Sequence, residues 1–121
     1  MAAALRLRTL RIADNAYACS ATGELDAFTA DQLREELEAL RKRGGRHVIV
    51  DLVSVTFIDS AGLGMLLAQA DRLSADGGAL VIVSDDPRTL RILEVTGAAR
   101  QVRIEQSLAD AVDELTHHVL A

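Results

Sequence analysis

Polar and apolar positions alternate over Leu5–Ile12, with Arg6, Arg8 and Arg11 interleaved, which predicts a strand. The alternation changes phase near Thr9, where a β-bulge is expected. Asp14-Asn15 supplies turn residues, and Ala16–Thr22 reads as a second strand of small residues, giving an opening hairpin. The period then changes. Leu33, Leu37 and Leu40 recur at i, i+4 and i+7, one stripe of a helix. Thr29 is its candidate N-cap, with Gln32 three residues on as in a capping box. Arg41, Lys42 and Arg43 complement the negative helix end, and Gly44-Gly45 stops it. His47–Val53 is apolar and β-branched except at Asp51, the pattern of a central strand buried on both faces. A short segment, Val55–Ile58, leads to a second helix over about Ala61–Ala75, ended by Gly77-Gly78. Ala79–Ser84 is another buried strand. Asp86-Pro87 opens a third helix with proline at its first position, Leu90 and Leu93 facing inward and Gly97 ending it. Val102–Ile104 is a short strand. Ser107 caps a last helix whose apolar face is Leu108, Ala111, Val112, Leu115 and Val119.

The order β-β-α-β-α-β-α-β-α predicts an α/β fold, a mixed but mainly parallel sheet packed against helices, with one domain filling residues 1–121. A chain of this size buries roughly two-thirds of the surface it exposes unfolded, enough for a core without staples. Tyr17, Phe28 and Phe57 are the only aromatic residues, so Leu, Val, Ile and Ala must build that core. The formal charge of −5 offers no net field for nucleic acid or an anionic membrane. No apolar run approaches the roughly 18 residues a membrane helix needs. Cys19 stands alone, which suits a reducing compartment, and Met1–Arg6 lacks the apolar core of a signal peptide. A cytoplasmic location is therefore expected.

The informative stretch is Phe57-Ile58-Asp59-Ser60-Ala61-Gly62-Leu63-Gly64, which joins a buried segment to a helix. Ser60 is placed to be the N-cap, at a helix end that carries partial positive charge and free N–H groups. Asp59 reads equally as a solvated turn residue. The two glycines admit two explanations. Either a partner approaches Ser60 closely, or the helix packs tightly on the sheet. Gly64 in particular lies where glycine is about 1 kcal/mol worse than alanine. Gly23-Glu24-Leu25-Asp26 reads as a loop after the second strand, and its carboxylates matter only if the fold brings Asp26 near Ser60.

Gly23-Glu24-Leu25-Asp26, followed by Thr29-Ala30 and Leu33-Arg34, resembles the N-terminal signature of the STAS-domain anti-sigma factor antagonists. Val50-Asp51-Leu52 and then Phe57–Gly64 resemble their phosphorylation-site signature. Gly77-Gly78, a strand, Pro87, Leu93 and Gly97 continue the likeness over nearly the whole chain. The resemblance implies that Ser60 is the phosphoacceptor, that Asp26 and Asp59 are the acidic residues beside it, and that Asp26, Asp59, Ser60, Ala61, Gly62 and Leu63 meet the partner. It implies an anti-sigma factor serine kinase as partner, a serine phosphatase that reverses the modification, and no cofactor. STAS-like domains also serve as non-switching subunits of transporter or signalling assemblies, in which Ser60 would be a cap or a contact.

Other chemistry is sparse. No Gly-x-x-x-x-Gly-Lys-Ser/Thr loop is present, and Ser60 is not in a Gly-x-Ser-x-Gly elbow. His117 and His118 are adjacent on a helix and point about 100° apart, so they do not share one metal well. Cys19 reads as a small buried hydrophobe. Arg41, Lys42, Arg43 and Arg46 form a basic cluster, either a solvated helix end or a contact for an acidic surface. Asp51 is expected to bond nearby backbone groups. No catalytic or metal-binding residue is assigned.

Overall fold

The computed structural model describes residues 4–119. Strands β1 (Arg6–Ala13), β2 (Ala16–Leu25), β3 (His47–Ile58), β4 (Ala79–Val83) and β5 (Arg103–Glu105) form one sheet in that spatial order. β1 and β2 are an antiparallel hairpin, and β2 through β5 run parallel. The helices are α1 (Ala30–Lys42), α2 (Ser60–Ala75), α3 (Pro87–Val95) and α4 (Leu108–Glu114). A 3-10 turn, Ala98–Arg100, follows α3, and a π-type turn, Leu115–Val119, continues α4. This is the α/β arrangement that the alternation of periods predicts.

Strand alternation sorts the side chains onto two faces. Cys19, Val48, Val50, Leu52, Leu80 and Ile82 face one core, where Leu33, Leu37 and Leu40 of α1 join Leu66 and Leu73 of α2 and Leu93 of α3. The other face is thinner. Ala16, Ala18, Ile49 and Val83 meet buried Ala111 and Leu115 from the α4 end of the chain, with Leu108 and Val112 partly buried beside them. Each fully buried leucine contributes roughly 1.5–3 kcal/mol by leaving water, so aliphatic residues carry the core, and Tyr17 is its one aromatic member. No helix among the described residues is long and apolar enough to cross a membrane.

Several local expectations are corrected. Thr9 pairs in register with Cys19, and the hairpin irregularity falls between Arg11 and Ala13. The alternation slips instead at Leu10 and Arg11, both exposed. Thr29 does stand at the N-cap position of α1, but with helical backbone angles and no side-chain cap bond. Its hydroxyl donates to the Glu24 carbonyl at 2.6 Å and accepts from the Asp26 N–H at 3.0 Å, while Gln32 Oε1 accepts from the Leu5 N–H at 2.9 Å. The preceding loop has taken the Thr29 half of the capping box, and Leu5, just ahead of β1, the Gln32 half. Val55–Ile58 is not a separate segment but the end of a twelve-residue β3. Asp51 bonds the Val53 N–H at 3.0 Å, where β3 slips register against β2, and accepts from the Ser20 hydroxyl at 3.1 Å. Leu90 is half-buried rather than internal, and Val119 is exposed, because the π-type turn rotates it off the apolar stripe. Ser107 does cap α4, accepting from the Asp110 N–H. Half of the basic cluster is structural: Arg46 donates to the carbonyls of Arg41 and Gly45, and Arg41 pairs with Asp76 at 3.2 Å, while Lys42 and Arg43 are exposed.

Candidate functional site

The parallel strands place their carboxyl ends at one edge of the sheet, where open α/β folds host sites. Two connections meet there, the β2–α1 loop and the β3–α2 junction. Their meeting depends on a pairing that local turn chemistry does not reveal. Gly23, Glu24 and Leu25 extend β2 and pair with Val55, Phe57 and Ile58 of β3. The next peptide continues the contact, the Asp59 N–H donating to the Leu25 carbonyl at 3.2 Å.

Asp59, not Ser60, is the N-cap of α2. Its backbone is extended, and its Oδ1 accepts from the Gly62 N–H at 2.9 Å. The helix therefore begins at Ser60 rather than Ala61. Both residues can cap, and the continuous β3 decides between them by holding Asp59 extended. The second carboxylate oxygen, Oδ2, accepts from the Ala27 N–H at 3.3 Å and fastens the β2–α1 loop to α2. Asp26 turns back on its own loop, accepting from the Phe28 and Thr29 N–H groups at 2.9 and 3.0 Å. The structure thus brings the Asp26 loop against Asp59, with each carboxylate occupied by main-chain donors.

Ser60 is free of the cap role and exposed, at the first position of α2. The N–H groups of Ser60 and Ala61 lie in the first turn, where a helix has no acceptors of its own. Ala61 is exposed beside it, while Gly62 and Leu63 are buried. Gly62 has a packing reason to be glycine: an added Cβ would lie 2.7 Å from the Leu25 carbonyl oxygen and 2.8 Å from Leu25 Cγ. Leu63 enters the main core. Of the six residues expected at the partner face, Ser60 and Ala61 present themselves outward, Asp59 and Gly62 join the two connections, Asp26 closes its own loop, and Leu63 enters the core.

Sequence reasoning missed the apolar residues around this edge. Phe28 is 81% exposed in the β2–α1 loop, and Phe57 is 49% exposed at the end of β3. Beside Phe57, a groove of about 250 Å³ runs to α3, lined by Thr56, Arg88, Thr89 and Ile92. The chain contains only two phenylalanines, and neither is in its core. That scarcity was the available signal, because large aromatics left at a surface mark contact sites more often than isolated leucines do. No group of three or more His, Cys, Asp or Glu side chains among the described residues could hold a metal ion.

Comparison with known proteins gives consistent findings. The family model for the STAS domain matches residues 8–111. The chain is 30% identical over 95 residues to the anti-sigma F factor antagonist of Paenibacillus polymyxa, an alignment covering 78% of this chain and 81% of that one. It is 34% identical over 84 residues to the anti-sigma-B factor antagonist of Staphylococcus aureus strain NCTC 8325, covering 69% and 78% of the two chains. The crystal structure of an anti-sigma factor antagonist from Mycobacterium paratuberculosis matches with a TM-score of 0.83 at 26% identity, over 93% of this chain and 94% of that one.

Proposed function

The chain belongs to the STAS domain family, and from that membership we propose that it is an anti-sigma factor antagonist switched at Ser60. The unphosphorylated form binds an anti-sigma factor that is also a serine kinase, and a sigma factor is released. Phosphorylation of Ser60 ends the binding, and a serine phosphatase restores it. The protein acts in the cytoplasm by binding, and the phosphoryl-transfer chemistry belongs to its kinase partner.

The observation that carries this reading is the division between Asp59 and Ser60. Asp59 takes the cap bond at 2.9 Å and leaves the neighbouring hydroxyl exposed at the first position of α2. A kinase can reach a serine so placed, whereas a capping hydroxyl is engaged with the helix. Exposed Phe28 and Phe57 supply apolar surface at the same edge. Phosphorylation adds about −1.5 to −2 charges. The first-turn N–H groups help to hold them, and the Asp59 carboxylate next in sequence opposes them. Added bulk and charge at a closed interface then clash with the partner. A loss of about 1.4 kcal/mol already lowers affinity tenfold, so the switch requires no refolding.

The test is a pulldown from native lysate with wild type, Ser60→Ala and Ser60→Asp as baits, partners being identified by mass spectrometry. Wild type and Ser60→Ala should retain an anti-sigma factor, and Ser60→Asp should not. Incubation of wild type with that partner and ATP should add one phosphoryl group, at Ser60. Equal capture of the same proteins by all three baits would refute the switch.

A further inference from the structure

The two glycines of the α2 entrance are not equivalent. Gly62 is required by its neighbours, since its missing side chain is filled by Leu25. At Gly64 an added Cβ would meet nothing within 4 Å among the described residues. Gly64 is exposed, is not among the glycines with positive φ, and is the fifth residue of the sixteen-residue α2. Alanine would fit there without strain. It would also favour the folded chain, through helix propensity and through fewer conformations in the unfolded state. Nothing in the isolated fold therefore accounts for this glycine.

Its position supplies the missing reason. Gly64 follows Ser60 by four residues, so the two share one helix face, one turn apart. We propose that Gly64 is a specificity-determining residue for the anti-sigma factor, whose main chain packs against the bare backbone of α2 at Gly64 while Ser60 lies in its active site. Glycine serves wherever another backbone must come close, and one methyl group at such a contact holds the two chains apart. This inference rests on the anti-sigma factor reading above and extends it. It makes the first turns of α2 a docking surface as well as the carrier of the phosphoacceptor.

The experiment compares wild type, Gly64→Ala, Gly64→Leu and Ser60→Asp in thermal unfolding of the isolated chain and in affinity for the purified anti-sigma factor recovered with wild type. Gly64→Ala should raise the melting midpoint by about 3–5 °C and weaken binding on the order of tenfold to a hundredfold. Gly64→Leu should remain folded and bind more weakly still. The proposal is overturned if Gly64→Ala binds like wild type, or if its midpoint falls, which would give the glycine a role in the fold. Loss of binding by Ser60→Asp alone would refute the close approach and leave the switch standing. Undiminished binding by Ser60→Asp, or no anti-sigma factor retained by wild type, would remove the underlying reading and this inference with it.

Discussion

Replacing Asp59 by alanine separates the fastening role of this residue from any contact with a partner. The carboxylate makes two bonds to main-chain donors, Gly62 N–H at 2.9 Å and Ala27 N–H at 3.3 Å. The first is an N-cap, whose loss typically costs about 1 kcal/mol. The second is longer and exposed, so it belongs at the low end of the net worth of a hydrogen bond, about 0.5 kcal/mol. The expected loss is about 1.5 kcal/mol, a fall of roughly 5–8 °C in melting midpoint for a domain between the small and medium size classes. Asp59→Asn sharpens the reasoning. Its amide oxygen can still accept from Gly62, but its NH₂ group then faces the Ala27 N–H, donor against donor. Thermal unfolding should place Asn between wild type and Ala. Amide hydrogen exchange should show Ala27 losing protection in both variants and Gly62 losing it only in Ala. An alanine variant that melts within about 1 °C of wild type, with Ala27 exchanging at the wild-type rate, would show that Asp59 does not join the two connections.

Two further predictions concern the core. Burial, with a smaller contribution from Glu36 and opposed by a hydrogen bond with Thr9, pushes the Cys19 thiol from its ordinary 9.0 up to about 11. The folded chain favours the neutral thiol, so its contribution to stability is whole below pH 9 and is lost as pH rises from 9 to about 11. Urea midpoints of wild type and Cys19→Ala should diverge over that window, and parallel curves would contradict the assignment. Gln69 is 2% exposed in the middle of α2, and its Oε1 has no hydrogen-bond partner among the described residues. Gln69→Met, similar in volume, should stabilise the protein by about 1 kcal/mol, and a lowered urea midpoint would show that the amide is needed.

How far the sequence carried the fold depended on the range of the interaction concerned. α1 was legible because Leu33, Leu37 and Leu40 share one stripe and Gly44-Gly45 ends it. All three leucines are fully buried. The start of α3 was legible for the same local reason, Asp86 accepting from the Arg88 N–H with Pro87 next to it. Pairing between distant segments was not. Gly23–Leu25 has the residues of a loop, and only its partners Val55–Ile58, some thirty positions away, make it strand. The same pairing holds Asp59 extended, and so it decided the cap that local propensity left open between Asp59 and Ser60. Thr29 and Gln32 carry the letters of a capping box, but Glu24, Asp26 and Leu5 compete for the same atoms. Phe28 and Phe57 went unassigned because hydropathy alone places phenylalanine inside. The backbone turns both outward.

The Asp59–Gly64 segment joins two demands that act on different residues. Asp59 and Gly62 serve the fold. One supplies acceptors to Gly62 and Ala27, and the other leaves room for the Leu25 carbonyl. Among the described residues, the Ser60 side chain makes no hydrogen bond and a Cβ at Gly64 would touch no neighbour. Ser60 is exposed beside a cap supplied by its neighbour, and Gly64 faces open space at a position where alanine would be more stable. A break with local helix preference that the fold does not require is expected most often at functional sites, which is the ground for the proposed role of Gly64. The two demands can therefore come apart. A chain that kept this fold without binding through this end would remain bound to Asp59 and Gly62, whose replacement disturbs the β2–α1 loop. It would be free to change Ser60 and Gly64. Resemblance across the whole motif conflates these cases, and on the proposed reading the outward pair, Ser60 and Gly64, is the half that bears on whether a domain of this shape switches.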